Sequence, residues 1–100
     1  PLNWAWQNAA AVQFLTTAMK KTNSSDGKKM ADALRGMSID SPFGNNGKLT
    51  MRADDNTVVD YAVGWGALEP KEPFMAKPSP GNWKQIAELE LQWKKRKSFA

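Results

Sequence analysis

Cysteine and histidine are both absent from the 100 residues. Their absence excludes disulfide stapling, zinc sites built on thiolate or imidazole, Ser-His-Asp triads and cysteine nucleophiles served by a histidine base. With that chemistry gone no reaction suggests itself, and an enzyme is not expected. No apolar run approaches the roughly 20 residues that span a bilayer. The start Pro1-Leu2-Asn3-Trp4 has neither an initiator Met nor the basic and apolar regions of a signal peptide, so it reads as a cut end.

What is present is 41% hydrophobic and 24% charged, the composition of one small domain with one core. Burying a large side chain contributes about 1.5–3 kcal/mol, while ordering each residue costs roughly 1.5 kcal/mol, so a chain of this size suffers if a neighbouring layer is missing. The net charge is +4, and Lys94-Lys95-Arg96-Lys97 accounts for all of it. No aromatic is interleaved among those cations. A solvated helix end is therefore the favoured reading, and no nucleic-acid partner is expected.

From Asn3 to Lys21 the apolar positions Ala5, Ala9, Val12, Leu15 and Met19 recur at steps of three and four, predicting a helix that turns this stripe inward. Asn3 is placed to cap it, and Lys20 and Lys21 complement its C-terminal dipole. The small Ala9-Ala10-Ala11 suits an interior helix that other backbone approaches closely. A second helix is expected over 26–35, capped by Ser25 or Asp26, with Met30, Ala33 and Leu34 inward and Gly36 at C′. Ser41-Pro42-Phe43-Gly44-Asn45-Asn46-Gly47 reads as a loop crossing between layers.

Leu49 and Met51 alternate with Lys48, Thr50 and Arg52, and Val59, Tyr61, Val63 and Trp65 alternate likewise after the turn Asp54-Asp55-Asn56. Both segments are expected as strands of one antiparallel hairpin. Pro70, Pro73, Pro78 and Pro80 are spaced too closely for a helix or central strand, so 69–82 should run extended over a surface, pinned by Phe74 and Met75. Asn82 should cap a last helix carrying Trp83, Ile86, Leu89 and Trp93. The Asp54-Asp55-Asn56 cluster lacks the calcium-loop spacing, and Glu88 and Glu90 point apart on a helix, so neither a metal nor a glycosidase pair is expected.

Pieces of the chain, in order, resemble the C-terminal part of the branched-chain amino-acid type of substrate-binding protein, the extracytoplasmic receptors of ABC transporters. Asn8-Ala9-Ala10-Ala11-Val12-Gln13-Phe14-Leu15 is similar to the family's alanine-rich helix, and Asp26 with Ala33-Leu34-Arg35-Gly36-Met37 to the short helix after it. Ser41-Pro42-Phe43-Gly44 resembles the family's Gly-Pro-Phe-Gly turn. Gly47-Lys48-Leu49-Thr50-Met51-Arg52-Ala53-Asp54 and Tyr61-Ala62-Val63-Gly64-Trp65 resemble its following strands. Pro80-Gly81-Asn82-Trp83 and Glu88-Leu89-Glu90 with Trp93-Lys94 look like a terminal helix of some members. Departures, at Ser41, Asn45-Asn46 and Asn56, touch loop geometry more than ligand contact.

The resemblance implies an α/β fold, here a fragment of a two-lobed type I periplasmic-binding architecture. It divides 1–100, a single C-terminal fragment, into a helical hairpin of one lobe over about 1–40, a crossover turn and strands over 41–66, and a proline-rich segment with the closing helix over 67–100. It implies capture of a small solute, an amino acid or related compound, for an ABC permease, in a periplasmic or other extracytoplasmic location with the signal peptide upstream. It implies no cofactor. Trp4, just before the alanine-rich helix, is the leading ligand-contact candidate and Trp6 the second, although an aromatic at a helix start is more often core packing. In such a secreted protein the basic tail would graze the lipid surface. The rival reading is a stand-alone interaction module whose bare apolar surface pairs with itself.

Overall fold

The computed structural model describes residues 3–98, which form mixed α/β structure: three helices and two small antiparallel sheets among the described residues. The chain divides into two compact units, 1–61 and 62–100. The first holds α1 (Asn3–Thr22), α2 (Gly27–Leu34) and a sheet of β1 (Ser38–Asn45), β2 (Lys48–Met51) and β3 (Val58–Val59) in the order β1-β2-β3. The second holds the β4 (Gly64–Leu68) and β5 (Met75–Pro80) pair and α3 (Trp83–Arg96).

The buried row of α1 is Ala10, Phe14 and Ala18, not the expected stripe. Val12, Leu15 and Met19 are exposed, on a face centred roughly 130° around the axis at 3.6 residues per turn. Apolar residues lie on both sides of this helix, so periodicity alone does not choose between them. Phe14, the bulkiest side chain near its middle, goes under at 1% exposure, and the alanines one turn either side let the sheet approach. The core closes with Met37, Ile39 and Leu49. Gln13 Nε2 adds a tie from α1 to β1 by donating to the Asp40 carbonyl at 2.8 Å. The expected cap by the Asn3 side chain falls outside what is described.

The second helix forms as expected. The Asp26 side chain accepts from the Lys29 N–H at 3.0 Å, the helix ends at Leu34, and Gly36 takes φ +70° just beyond it. Met30, Ala33 and Leu34 are all half-buried.

The expected layer-crossing loop is instead the end of a strand. Asn45 pairs with Lys48, and Asn46 and Gly47 between them have φ of 54° and 76°, the geometry of a two-residue hairpin turn with both central residues left-handed. Asn-Gly is the dipeptide that adopts this conformation at least cost. Pairing is regular over Ser38↔Thr50, Ile39↔Leu49 and Asp40↔Lys48, and its register then shifts across Ser41-Pro42-Phe43-Gly44. That excursion keeps the turn chemistry of Pro42 and Gly44 within a strand. A Cβ on Gly44 would overlap the Lys48 backbone.

The expected strand 58–65 is broken. Val58 and Val59 pair with Met51 and Thr50, Asp60 turns left-handed at φ 64°, Tyr61 bridges Gly44, and β4 then begins at Gly64. Aspartate tolerates the left-handed region better than the branched residues around it, so the break falls there. The proline-rich segment is also more ordered than expected: Met75–Pro80 is a strand on β4, with Pro80 opposite Gly64. Both members of a two-stranded ribbon are edges, where a missing N–H costs little. Phe74 and Met75 do not pin it by burial, since both are more than half exposed. Asn82 caps α3 by accepting from the Gln85 N–H at 3.2 Å.

These burials give opposite expectations for two positions two residues apart. Phe14→Ala should cost about 3–5 kcal/mol in urea unfolding of the chain, whereas Val12→Ala should stay within about 0.5 kcal/mol. Equal losses would mean that the helix is rotated from the face described.

Candidate functional site

An apolar cleft of about 460 Å³ opens in the first unit. Trp6, Ala10 and Phe14 contribute one side of it, and Gln7, Ala11 and Leu15 the adjacent helical row. These six follow from i, i+4, i+8 spacing on one helix. Leu34 at the end of α2, Met51 of β2, Val58 of β3 and Tyr61 complete the lining. No lining side chain carries a charge at neutral pH, so the cleft selects by shape and dispersion, with orientation left to the few polar groups at its edge.

Trp6 is held by two rings. Its indole stacks on Phe43 at 5.3 Å with planes 22° apart, and meets Tyr61 at 6.0 Å and 45°. Phe43 reaches it from the register shift of β1, whose local order comes from Ser41: the buried hydroxyl accepts from the Phe43 N–H at 3.2 Å, and the Ser41 N–H donates to the Gly47 carbonyl at 2.8 Å. Tyr61 is set by the Asp60 break and the bridge to Gly44. The register shift within β1 and the left-handed break after β3 therefore assemble the aromatic cluster.

The two sequence candidates separate here. Trp6 lines the cleft and is half-buried, whereas Trp4 is 73% exposed and outside the lining. Phe43, Tyr61, Leu34, Met51 and Val58 are not among the ligand-contact candidates that the sequence offers. The readable signal for Phe43 was the Asn46-Gly47 turn, which fixes the hairpin that carries it. Leu34 was legible only as an inward helix position.

The floor strands are joined by a charged turn. Asp55 accepts from the Thr57 N–H at 3.0 Å and from Arg52 at 2.5 and 3.1 Å. The Thr57 N–H first, and then the Arg52 guanidinium, hold the Asp55 carboxyl at about 2, below its ordinary 3.8. The Lys48 ammonium, 2.6 Å from the Asp40 carboxylate, likewise lowers the Asp40 pKa. Arg35 closes the other side of the turn by donating to the Ala53 carbonyl at 2.9 Å. Among the described residues no group of three or more acidic side chains is placed to hold a metal ion. Comparison with protein-family models, with curated proteins and with solved structures finds no match for the chain.

Two measurements check this geometry. Trp6→Ala should destabilise the chain by roughly 1–3 kcal/mol, about 0.5–1.5 for each ring pair, and weaken the near-ultraviolet circular dichroism of the stack, while Trp4→Ala changes stability by less than about 0.5 kcal/mol. A reversed ranking would remove Trp6 from the centre of the cluster. The Asp55 carboxyl, lowered in the folded state, contributes stability in full above its unfolded pKa and loses it as pH falls from about 4 to about 2. Its NMR titration midpoint should rise in Arg52→Gln, and Asp55→Asn should flatten the acid limb of stability in that window. An unchanged acid limb would dismiss the turn as a pH-dependent contributor.

Proposed function

We propose that this chain is the C-terminal part of an extracytoplasmic receptor, a two-lobed solute-binding protein that captures an amino acid or related small compound and delivers it to an ABC importer. The observation that carries the reading is the apolar character of both faces of α1. Ala10, Phe14 and Ala18 go under on one side, while Val12 and Met19, roughly 150° round, stand 60% and 42% exposed, and Leu15, 45% exposed, lies between the two sides at the cleft. A helix apolar on opposite faces fits between two layers, and the resemblance puts the alanine-rich helix inside a lobe. The order of elements supports the same reading: a capped helical hairpin, a Pro-Phe-Gly excursion, an antiparallel hairpin and a terminal helix follow in the sequence of the resembling segments.

In such a receptor the ligand joins the lobes and shifts an equilibrium between open and closed forms, and the closed form docks on the permease. Trp4 is the residue assigned to ligand contact, its ring free to form one wall of a pocket completed by upstream residues. Trp6, held by Phe43 and Tyr61 on the other side of the helix, is the second candidate, a rigid wall of the apolar cleft. A large ring at such a wall works by dispersion and by excluding water, which strengthens hydrogen bonds from polar groups around the ligand. The competing reading, a module that self-associates without ligand, draws on the same exposed stripe.

Intact mass of the native polypeptide carrying this sequence, purified from its source, separates the two. A mass several times 11.1 kDa, with a processed N-terminus far upstream and amino-acid binding by the full chain, is the expected result. A native product of 11.1 kDa that dimerises would overturn the receptor reading in favour of the self-associating module.

A further inference from the structure

α3 is a 14-residue helix with no buried residue. Ile86, Leu89 and Trp93 follow at steps of three and four and are 37%, 58% and 46% exposed, so one face of the helix presents branched and aromatic surface to water. The cations gather at one end of that face: Arg96 lies seven residues from Leu89 and Lys97 four from Trp93, close to whole numbers of turns. Glu90 is engaged by Lys94 at 2.8 Å, so the acidic group nearest this end is already neutralised. Lys95, Arg96 and Lys97 form no ion pair among the described residues.

We propose that α3 docks in the plane of an anionic lipid surface, with Ile86, Leu89 and Trp93 entering the headgroup boundary and Arg96 and Lys97 meeting the lipid phosphates. Two complementary features on one short helix select this partner. A nucleic acid or other polyanion would satisfy the cations and leave the apolar side chains in water, whereas a bilayer boundary takes up both, and tryptophan is at home at that depth. At about 1.5 Å per residue the helix is about 21 Å long, shorter than the hydrocarbon core, and no helix among the described residues is long and apolar enough to cross a membrane. It would therefore lie on the surface. The proposal concerns a different helix from the one that carries the receptor reading and does not depend on it.

The test is co-sedimentation of the chain with vesicles of phosphatidylcholine containing one quarter phosphatidylglycerol, against vesicles of phosphatidylcholine alone. Binding to the anionic vesicles is expected, weaker in ~0.5 M than in ~0.1 M salt. The combined change Arg96→Gln, Lys97→Gln should weaken it about 30-fold, from about a fivefold loss per cation, while Lys95→Gln, on the opposite side of the helix, should weaken it less than either change alone. Leu89→Ser, which leaves the charge unchanged, should weaken it about tenfold. Quenching of tryptophan emission by bromine-labelled lipid in the unmodified chain is expected on the anionic vesicles and needs no variant. Absence of vesicle binding, equal binding to neutral vesicles, or absence of quenching would overturn the proposal. So would a Leu89→Ser chain that binds lipid and DNA as the parent does, because the site would then be a polyanion contact without apolar insertion.

Discussion

Burial of one row of α1 against the β1–β2 hairpin is the contact on which the first unit depends. Phe14 and Leu49 are its largest fully buried side chains, and the alanines at 10 and 18 allow the helix to come down onto Met37 and Ile39. A core this small has little redundancy. A three-stranded sheet whose third strand is two residues long gains little from its own ladder, so the helix stabilises the sheet as much as the sheet holds the helix. The Gln13 to Asp40 hydrogen bond fixes the sliding register between them, and the Arg35 to Ala53 bond does the same for the far end of α2.

With that contact in place, irregular backbone rather than regular structure forms the aromatic cluster. The register shift at Ser41–Gly44 swings Phe43 over Trp6, and the left-handed turn at Asp60 brings Tyr61 to the same ring. Each device uses a residue suited to it: glycine where the Lys48 backbone leaves no room for a Cβ, asparagine and glycine at the hairpin tip, aspartate at the break. The stack therefore reports on the folding of two separate turns, and the rigid ring of Trp6 is their joint product.

Outside the core the chain leaves apolar surface on more than one face, and the surfaces differ in chemistry. The outer stripe of α1 is uncharged, which suits another layer of protein. The face of α3 ends in a run of cations, which suits a lipid boundary. The β4–β5 ribbon exposes Trp65 and Leu68 at 78% and 89% and draws little stability from burial. Charge placement, more than hydrophobicity, distinguishes what each face can meet.

Some of this was legible in the residues alone. The caps at Asp26 and Asn82 were readable because a short side chain satisfies backbone N–H groups within its own turn, and Gly36 because a helix end needs a left-handed residue there. The α/β class and the Asp54-Asp55-Asn56 turn were legible for the same local reasons. The sequence could not choose the buried face of α1, because Ala9-Ala10-Ala11, Val12, Phe14 and Leu15 put apolar atoms on both sides, and the choice depends on what packs against them. Nor could it join Trp6 to Phe43 and Tyr61, residues 37 and 55 positions apart, since that meeting depends on a register shift and a left-handed residue. Local hydrogen-bonding chemistry was determined by the sequence itself. The faces, the cleft and the fate of each apolar side chain were decided by tertiary structure, because burial is a property of pairs of elements.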